Sequence, residues 1–149
     1  MPTNRDGRTH RSIYLILAVL TILVGLFLRL VPLGFPFLIV RYGGSVLWAT
    51  MLYLLFATIQ PKRTPLTLAI LASILAALVE LSRLYHSPGL DAFRLTLAGA
   101  LLLGRVFTPW HFLAYWAAIA ITAIVDQAAR LTARAANSRL SRGRSKRRK

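Results

Sequence analysis

The residues in this sequence best suited to chemistry are acids and arginines that recur at a fixed spacing. Glu80 precedes Arg83 by three residues, and Asp91 precedes Arg94 by the same interval. Residues three apart lie on one face of a helix, so each acid can pair with its arginine. Together with the hydroxyl of Tyr85, these groups are typical of sites that bind an anion or accept a proton.

A second polar stretch extends this cluster. Arg41 and Tyr42 precede an apolar run, and a chain that alternates in direction would bring them to the same surface as the two pairs. We expect Arg41 and one hairpin arginine to bind a phosphate or carboxylate head group through paired donors, with Glu80 orienting the ligand or accepting a proton. The alternative is a structural role, in which the pairs lock a helical hairpin. The candidate ligand-binding residues are Arg41, Tyr42, Glu80, Arg83, Tyr85, Asp91 and Arg94.

Other types of chemistry have little support in the sequence. Cysteine is absent, which excludes disulfides, thiolate metal sites and cysteine nucleophiles. His10, His86 and His111 do not have metal-ligand spacing, so we expect neither a metal nor a cofactor. Metalloprotease, serine hydrolase, phosphate-loop and dinucleotide-binding motifs are absent as well. An enzymatic activity is therefore not indicated, although a membrane enzyme that uses Glu80 stays open.

The composition identifies the elements that must position this cluster. The chain has 149 residues, of which 56% are hydrophobic and 15% are charged, and its mean hydropathy is +0.60. Soluble domains contain about 45–50% apolar residues, so a soluble enzyme is excluded. Long uncharged stretches separate the charged residues, as expected of helices that contact lipid.

Five stretches approach the length of a membrane span. A bilayer core of about 30 Å requires about 20 helical residues. Prolines and glycines separate the stretches, because both residue types interrupt helices. The predicted helices are 13–31, 45–60, 66–85, 90–107 and 110–125, and the fourth is the weakest.

These stretches predict an all-α integral membrane protein, a compact bundle of four to five transmembrane helices with a basic C-terminal tail. Residues 1–12 are a short basic segment, residues 13–126 form the membrane domain, and residues 127–149 form a tail that is helical to about Leu140 and disordered beyond it. The first apolar run is long and lacks a small-x-small cleavage site, which favours a retained helix over a signal peptide. Asp126 is expected to be solvated at the end of the last span.

The basic residues indicate conflicting topologies. Lysines and arginines in short loops mark the cytoplasmic side, and the N-terminal arginines place the N-terminus there. Five crossings would then put the tail outside, although it has nine basic residues and no acid. In one interpretation, segment 90–107 does not cross and both termini lie inside, because only ten uncharged residues separate Arg94 from Arg105. In the other, all five helices cross, with Arg94 and Arg105 snorkelling in opposite directions.

The tail and a set of small residues indicate partners. The tail is expected to contact anionic lipid, since a membrane-tethered segment already lies beside the head groups, and nucleic acid is the less favoured partner. Small residues at four-residue spacing let helices pack closely, either within the bundle or against a partner protein. They are Ala69, Ser73 and Ala77; Thr96, Ala100 and Gly104; and Ala114, Ala118 and Thr122.

A set of short motifs and single residues in this sequence resembles the pattern of a known family. They are RYGGSVLWA at 41–49, then Glu80, Ser82, Leu84, Tyr85, His86, Leu90, Asp91, Arg94, Thr96, Gly99, Gly104, Phe107, Ala114 and Tyr115. In order and spacing they resemble a bacterial family of small polytopic membrane proteins, domain of unknown function 2809, over about residues 29–126. The acid followed by arginine near the third-to-fourth helix junction is more loosely similar to the VanZ family, which is associated with glycopeptide tolerance.

The resemblance implies a multi-pass protein of the bacterial cytoplasmic membrane with no established activity. The family pattern implies an acid where Ser45 and His111 stand, and a glutamine where Arg83 stands. Three functions stay open for this chain. They are a noncatalytic module that binds an amphiphile with an anionic head group, a small membrane enzyme or transporter that uses Glu80, and a structural subunit of a larger membrane complex.

Overall fold

The part of the chain that the structure describes consists of helices and short turns, without a strand. The computed structural model describes residues 5–31, 37–96, 98–99, 103 and 110–146, except for the side chains of residues 5–9, 29, 37–41, 137 and 139–146. The predicted all-helical fold class is confirmed. The helices are α1 (Arg5–Leu30), α2 (Phe37–Ile59), α3 (Pro65–Ser82), α4 (Pro88–Leu95) and α5 (Trp110–Lys146).

Four of these five helices are long and apolar enough to span a membrane. The candidate spans are His10–Leu28, Tyr42–Ile59, Pro65–Ser82 and Trp110–Ala136, with mean hydropathies from 1.4 to 2.3. The exception is α4, whose eight residues extend only about 12 Å along the helix axis. By length and composition, the chain is a multi-pass helical membrane protein.

Contacts between α3 and α5 decide how often the chain crosses. Arg83, directly after α3, is hydrogen-bonded to Tyr115 in the second turn of α5. The chain therefore leaves α3 and begins α5 at the same end of the bundle, and the segment predicted at 90–107 produces no net crossing. Beyond Thr96, most of that segment lies outside the described residues. Among the described residues, the four candidate spans then alternate in direction, which puts the start of α1 and the end of α5 on one side.

Four crossings give the bundle two polar ends. The terminal face is the end formed by the start of α1, the α2–α3 turn and the part of α5 from Asp126 onward, and Arg130 contacts the turn there. The hairpin face is the opposite end, formed by the α3–α4 turn and the start of α5. Among the described side chains, the basic residues of the terminal face are Arg11, Lys62, Arg63, Arg130 and Arg134. One face thus holds both sets of charges, which removes the conflict in the topology.

The core lies among α2, α3 and α5, where small side chains let the helices approach closely. Ala49, Ala57, Ala72 and Ala118 are almost completely buried in the same core cluster as Tyr53. Close approach increases the van der Waals contacts that drive helix association in a lipid environment. Helix α1 packs on α2 and leaves most of its apolar side chains exposed, as expected of a helix that faces lipid.

Residues of two predicted small-residue ridges pack inside the bundle. Ala69 packs against the core, and Ala118 is buried within it. The hydroxyl of Thr122 lies 3.4 Å from that of Thr50 on α2. Ala100 and Gly104, on which the partner-subunit hypothesis depends, lie outside the described residues.

Local sequence explains where α3 and α4 begin. Thr64 precedes Pro65, and its hydroxyl oxygen accepts a hydrogen bond from the Thr67 amide at 3.2 Å. Ser87 precedes Pro88 in the same arrangement. A hydroxyl at the N-cap satisfies a backbone donor that has no partner within the helix, and proline at the first helical position has no such donor.

Two helices extend beyond their predicted limits. Helix α1 begins at Arg5 rather than at residue 13, so the basic N-terminal segment is largely helical. Helix α5 runs without interruption from Trp110 through the predicted span and the helical stretch predicted to about Leu140, as far as Lys146. Alanine and arginine are strong helix formers, and a helix already nucleated in a span elongates without further packing.

Candidate functional site

The first polar cluster lies at the hairpin face, in the last turn of α3. The side chain of Glu80 is completely buried, and its Oε2 lies 2.7 Å from Nη1 of Arg83. This is the pair that the three-residue spacing predicts. Because burial removes water from the carboxylate, its charge depends on protein donors such as this guanidinium group.

Arg83 also connects α3 to the start of α5. Its Nη2 donates to the hydroxyl of Tyr115 at 3.2 Å, and its Nη1 lies 3.2 Å from Nδ1 of His111. Its Nε donates to the carbonyl oxygen of Leu103 at 2.5 Å. Nδ1 of His111 lies 3.7 Å from Oε1 of Glu80. The guanidinium group therefore connects α3, Leu103 and the start of α5 around one carboxylate. We call Glu80 and these surrounding residues the Glu80 site.

Aromatic rings border the Glu80 site on the side of α2. The rings of Tyr42 and His111 meet edge to face with their centroids 6.1 Å apart, and those of Trp48 and Tyr115 lie 5.3 Å apart. The sequence-based candidates include neither His111 nor Tyr115, although both belong to the centre of the site. Their four-residue spacing puts them on one face of α5, a pattern that becomes informative once segment 90–107 is not counted as a crossing.

The second predicted pair stabilises the turn between α3 and α4. Nη1 of the buried Arg94 lies 2.9 Å from Oδ1 of Asp91 and donates to the carbonyl oxygen of Tyr85 at 3.0 Å. Its Nη2 donates to the carbonyl oxygen of Ser82 at 2.5 Å. The last carbonyl groups of a helix have no donor within it, so a guanidinium group that reaches back to them caps α3.

The structure brings together part of the predicted ligand-binding set. Tyr42, Glu80 and Arg83 meet at the Glu80 site. Tyr85 contributes its backbone carbonyl to the hairpin and is itself 67% exposed. The side chain of Arg41 lies outside the described residues. Both hairpin arginines bind protein groups, so an incoming anion has to compete with an internal partner.

The donors of the Glu80 site match oxygen anions in general. A guanidinium group and an imidazole lie beside one carboxylate, and the hydroxyl of Tyr115 shares the same guanidinium group. Phosphates and carboxylates both present oxygen acceptors that suit a guanidinium group. Histidine is in addition a common proton donor and acceptor in proteins. The site therefore has the groups needed to bind an anion or to move a proton.

A second buried cluster lies at the terminal face, around Asp126. Asp126 is 8% exposed, and its carboxylate accepts hydrogen bonds from the hydroxyls of Tyr14 on α1, at 2.5 Å, and Tyr53 on α2, at 2.7 Å. Nη2 of Arg130 lies 3.0 Å from the same carboxylate, and its Nη1 donates to the carbonyl oxygen of Arg63 at 2.8 Å. The prediction that Asp126 is solvated is therefore wrong. Asp126 lies within α5 on the face that packs against the bundle, where hydroxyl groups from α1 and α2 replace water around its carboxylate.

The Asp126 cluster has the features of a structural clamp. One carboxylate joins α1, α2 and α5, and Arg130 fastens the α2–α3 turn to α5. Each oxygen of Asp126 accepts from a tyrosine and from Arg130, which uses most of the acceptor capacity of a carboxylate. The Glu80 site is therefore the better candidate for function.

Comparison with known families agrees with this architecture. Residues 35–119 match the family described as "Protein of unknown function (DUF2809)", a stretch that begins just before α2 and ends within α5. The chain belongs to this family. The family membership expected from the sequence is confirmed, and the looser similarity to VanZ stays a prediction. No solved structure matches the chain.

The region matched to DUF2809 contains the whole Glu80 site. Glu80, Arg83 and His111 lie within residues 35–119, whereas Asp126 and Arg130 lie beyond them. Within this region, Nη1 of Arg83 lies 3.2 Å from Nδ1 of His111. Two basic groups side by side are stabilised by a neighbouring carboxylate, which Glu80 supplies here.

Proposed function

We propose that this DUF2809 protein is a membrane module that binds the anionic head group of an amphiphile at the Glu80 site. The observation that carries the proposal is the guanidinium group of Arg83, which is fixed by α5 and by Leu103 and lies 2.7 Å from a carboxylate. The oxygens of a phosphate or carboxylate head group suit the same donors. Glu80 thus acts as an internal substitute for the ligand when the site is empty.

The level of the site in the membrane supports this proposal. Glu80 is two residues from the end of α3, and His111 is the second residue of α5. Head groups lie at the ends of membrane spans. The exposed side chains of Leu81 and Leu84 adjoin the site along the chain, so the acyl chain of an amphiphile has apolar surface to contact.

Binding requires an exchange of partners at Arg83. When a head group takes the guanidinium donors, the carboxylate of Glu80 loses its counter-ion, and an unpaired buried charge is strongly unfavourable. Glu80 must then pair with another donor, and His111, whose Nδ1 lies 3.7 Å from Oε1 of Glu80, is close enough to become that partner.

The proposal includes a location and an orientation. The basic residues of α1, the α2–α3 turn and α5 share the terminal face, and such residues are retained on the cytoplasmic side. We infer that the terminal face lies in the cytoplasm of a bacterium and that the basic end of α5 contacts anionic lipid there. The Glu80 site then faces the outer leaflet of the cytoplasmic membrane.

Fluorescence of Trp48 provides the test, because its ring lies 5.3 Å from that of Tyr115 in the site. Replacing Trp110 and Trp116 by phenylalanine leaves Trp48 as the single tryptophan of the three. Dodecyl phosphate, titrated into the full-length protein in dodecyl maltoside micelles, is expected to change the emission of Trp48. Arg83→Gln is expected to weaken this binding by about tenfold or more, the value of one charge-assisted hydrogen bond.

Glu80→Gln separates head-group binding from a purely structural role. Because the variant removes the competing carboxylate, it is expected to strengthen the binding of dodecyl phosphate. The matched control is Arg134→Gln, which removes one positive charge from α5 at the terminal face, far from the Glu80 site. It is expected to leave the titration unchanged. The unfolding midpoint in mixed SDS micelles shows that each variant is folded. A folded Glu80→Gln protein that binds dodecyl phosphate more weakly than the parent would contradict the proposal.

A proton-linked membrane transporter that uses Glu80 is a second candidate. The proximity of His111 to the buried Glu80 favours it, since acids and histidines within spans form proton relays in pumps and transporters. Infrared difference spectra would then contain a carboxylic acid C=O band on acidification that is missing from Glu80→Gln. Identical spectra for the parent and the variant would exclude this candidate.

A further inference from the structure

The α2–α3 turn forms a cavity at the terminal face. This cavity is open to its surroundings, has a volume of about 380 Å³ and is lined by Ile59, Gln60, Pro61, Lys62 and Arg63. The cavity lies at the opposite end of the bundle from the Glu80 site, so the proposed function does not account for it.

Arg130 of helix α5 holds the backbone of this turn in place. Nη1 of Arg130 lies 3.4 Å from the carbonyl oxygen of Pro61 and 2.8 Å from that of Arg63. Arg130 is itself paired with the buried Asp126. Within the turn, the amide of Arg63 donates to the carbonyl oxygen of Gln60 at 3.1 Å. A backbone that is already ordered loses less conformational entropy when a ligand binds.

The turn presents two cations. Lys62 and Arg63 are both exposed, and within the described part of the chain neither of them pairs with a carboxylate. Nε of Arg63 donates to Oε1 of Gln60 at 3.0 Å, which orients the guanidinium group. An oriented guanidinium group beside an ammonium group is a suitable pair of donors for a phosphate.

Apolar side chains flank the cavity on the membrane side. Ile59, the last residue of α2, is 67% exposed, and Leu66, the second residue of α3, is 70% exposed. Both belong to candidate membrane spans, so the basic turn lies directly beyond the hydrocarbon region. Cations next to exposed apolar side chains at this level suit an amphiphile, whereas a soluble anion would gain nothing from the apolar flank.

We propose that this cavity binds the phosphate group of an anionic phospholipid from the leaflet at the terminal face. Lys62 and Arg63 contact the phosphate, and Ile59 and Leu66 contact the acyl chains. The cavity defines one site with one stoichiometry, unlike the diffuse attraction between a basic tail and an anionic surface. The site is independent of the Glu80 site, since the two lie at opposite ends of the bundle.

Native mass spectrometry of the full-length protein with added dioleoylphosphatidylglycerol or dioleoylphosphatidylcholine tests the proposal. We expect one tightly bound phosphatidylglycerol per chain and weaker binding of phosphatidylcholine. The double variant Lys62→Gln/Arg63→Gln is expected to bind phosphatidylglycerol at least about tenfold more weakly, from the contribution of two charges near a membrane surface. The matched control Arg134→Gln/Arg139→Gln also removes two positive charges, but from α5 and not from the α2–α3 turn. It is expected to retain the bound lipid.

Two outcomes would overturn the proposal. Equal losses of phosphatidylglycerol from both double variants would mean that the attraction is diffuse. Displacement of the lipid by millimolar inorganic phosphate would mean that the site takes a soluble anion. Arg83→Gln is expected to leave the lipid bound, which keeps this test separate from that of the Glu80 site. If the double variant folds poorly, the single variant Lys62→Gln is expected to weaken binding about fivefold.

Discussion

Replacing Asp126 by asparagine tests whether the buried cluster at the terminal face holds α1, α2 and α5 together. In the folded protein the carboxylate accepts hydrogen bonds from the hydroxyl groups of Tyr14 and Tyr53, and its Oδ2 lies 3.0 Å from Nη2 of Arg130. An asparagine side chain has nearly the same shape, but an NH2 group replaces one of the two carboxylate oxygens. Each oxygen accepts from a tyrosine and from Arg130, so this donor faces the guanidinium group in either orientation of the amide, and Arg130 loses its counter-ion.

The size of the effect follows from these contacts. Breaking a buried ion pair by removing one partner costs about 3–5 kcal/mol, and a hydrogen bond between membrane helices contributes about 0.6 kcal/mol on average and at most about 1.7 kcal/mol. Arg130 keeps its bond to the carbonyl oxygen of Arg63, and its side chain is 16% exposed, so the lower end of the first range applies. We expect the free energy of unfolding to fall by about 3 kcal/mol for Asp126→Asn and by about 1 kcal/mol for Tyr53→Phe.

Reversible unfolding in mixed micelles of increasing SDS content, followed by tryptophan fluorescence, measures both effects. In the double variant the Tyr53→Phe change is expected to have little further effect, because the acceptor of its hydrogen bond is already altered. Tyr85→Phe, at an exposed position on the hairpin face, is the control and is expected to unfold like the parent. Strict additivity of Asp126→Asn and Tyr53→Phe, or an unchanged midpoint for Asp126→Asn, would refute the reasoning.

Three further predictions concern the crossing number and the hairpin. Reporters fused within the Ser87–Gly89 turn and after Lys149 are expected to lie on opposite sides of the membrane, because only α5 crosses between them; detection on the same side contradicts the four-crossing arrangement. Gly99→Ala would bring a Cβ atom against the backbone carbonyl group of Phe93, so the free energy of unfolding is expected to fall by about 1–3 kcal/mol; an unchanged SDS midpoint would show that this close approach is not required. Arg94→Gln removes the donor that caps the last carbonyls of α3 and is expected to speed amide hydrogen exchange in the α3–α4 turn while the spans stay protected; equal exchange in both proteins would mean that water satisfies these carbonyls.

The limits of the helices are predictable to different degrees. The starts of α3 and α4 follow from a hydroxyl residue before a proline, a signal that is contained in two adjacent positions. The end of α5 is less predictable, because hydropathy falls after Asp126 while helix propensity does not. The boundary predicted at 126 marks the end of the apolar stretch, and the helix predicted to about Leu140 is part of the same element.

The candidate site is predictable only in part. The pair of Glu80 and Arg83 follows from its spacing alone, since helical geometry fixes which residues share a face. The contacts of Arg83 with His111 and Tyr115 join residues about thirty positions apart. These contacts depend on the end of the bundle at which α5 begins. The hydropathy of segment 90–107 is too low to predict whether that segment crosses the membrane, so the sequence leaves this question open.

The amino-acid sequence by itself determined that this chain is a helical membrane protein of the DUF2809 family with polar residues near the ends of its spans. Composition, hydrophobic length and short-range spacing are local quantities, and they suffice for that conclusion. Tertiary structure decided the rest. It set the number of crossings, gathered the basic residues on one face, and turned Asp126 inward to Tyr14 and Tyr53. It also surrounded Glu80 with partners from α5, because buried charges are stable only when the packing of separate helices supplies their counter-ions and hydrogen bonds.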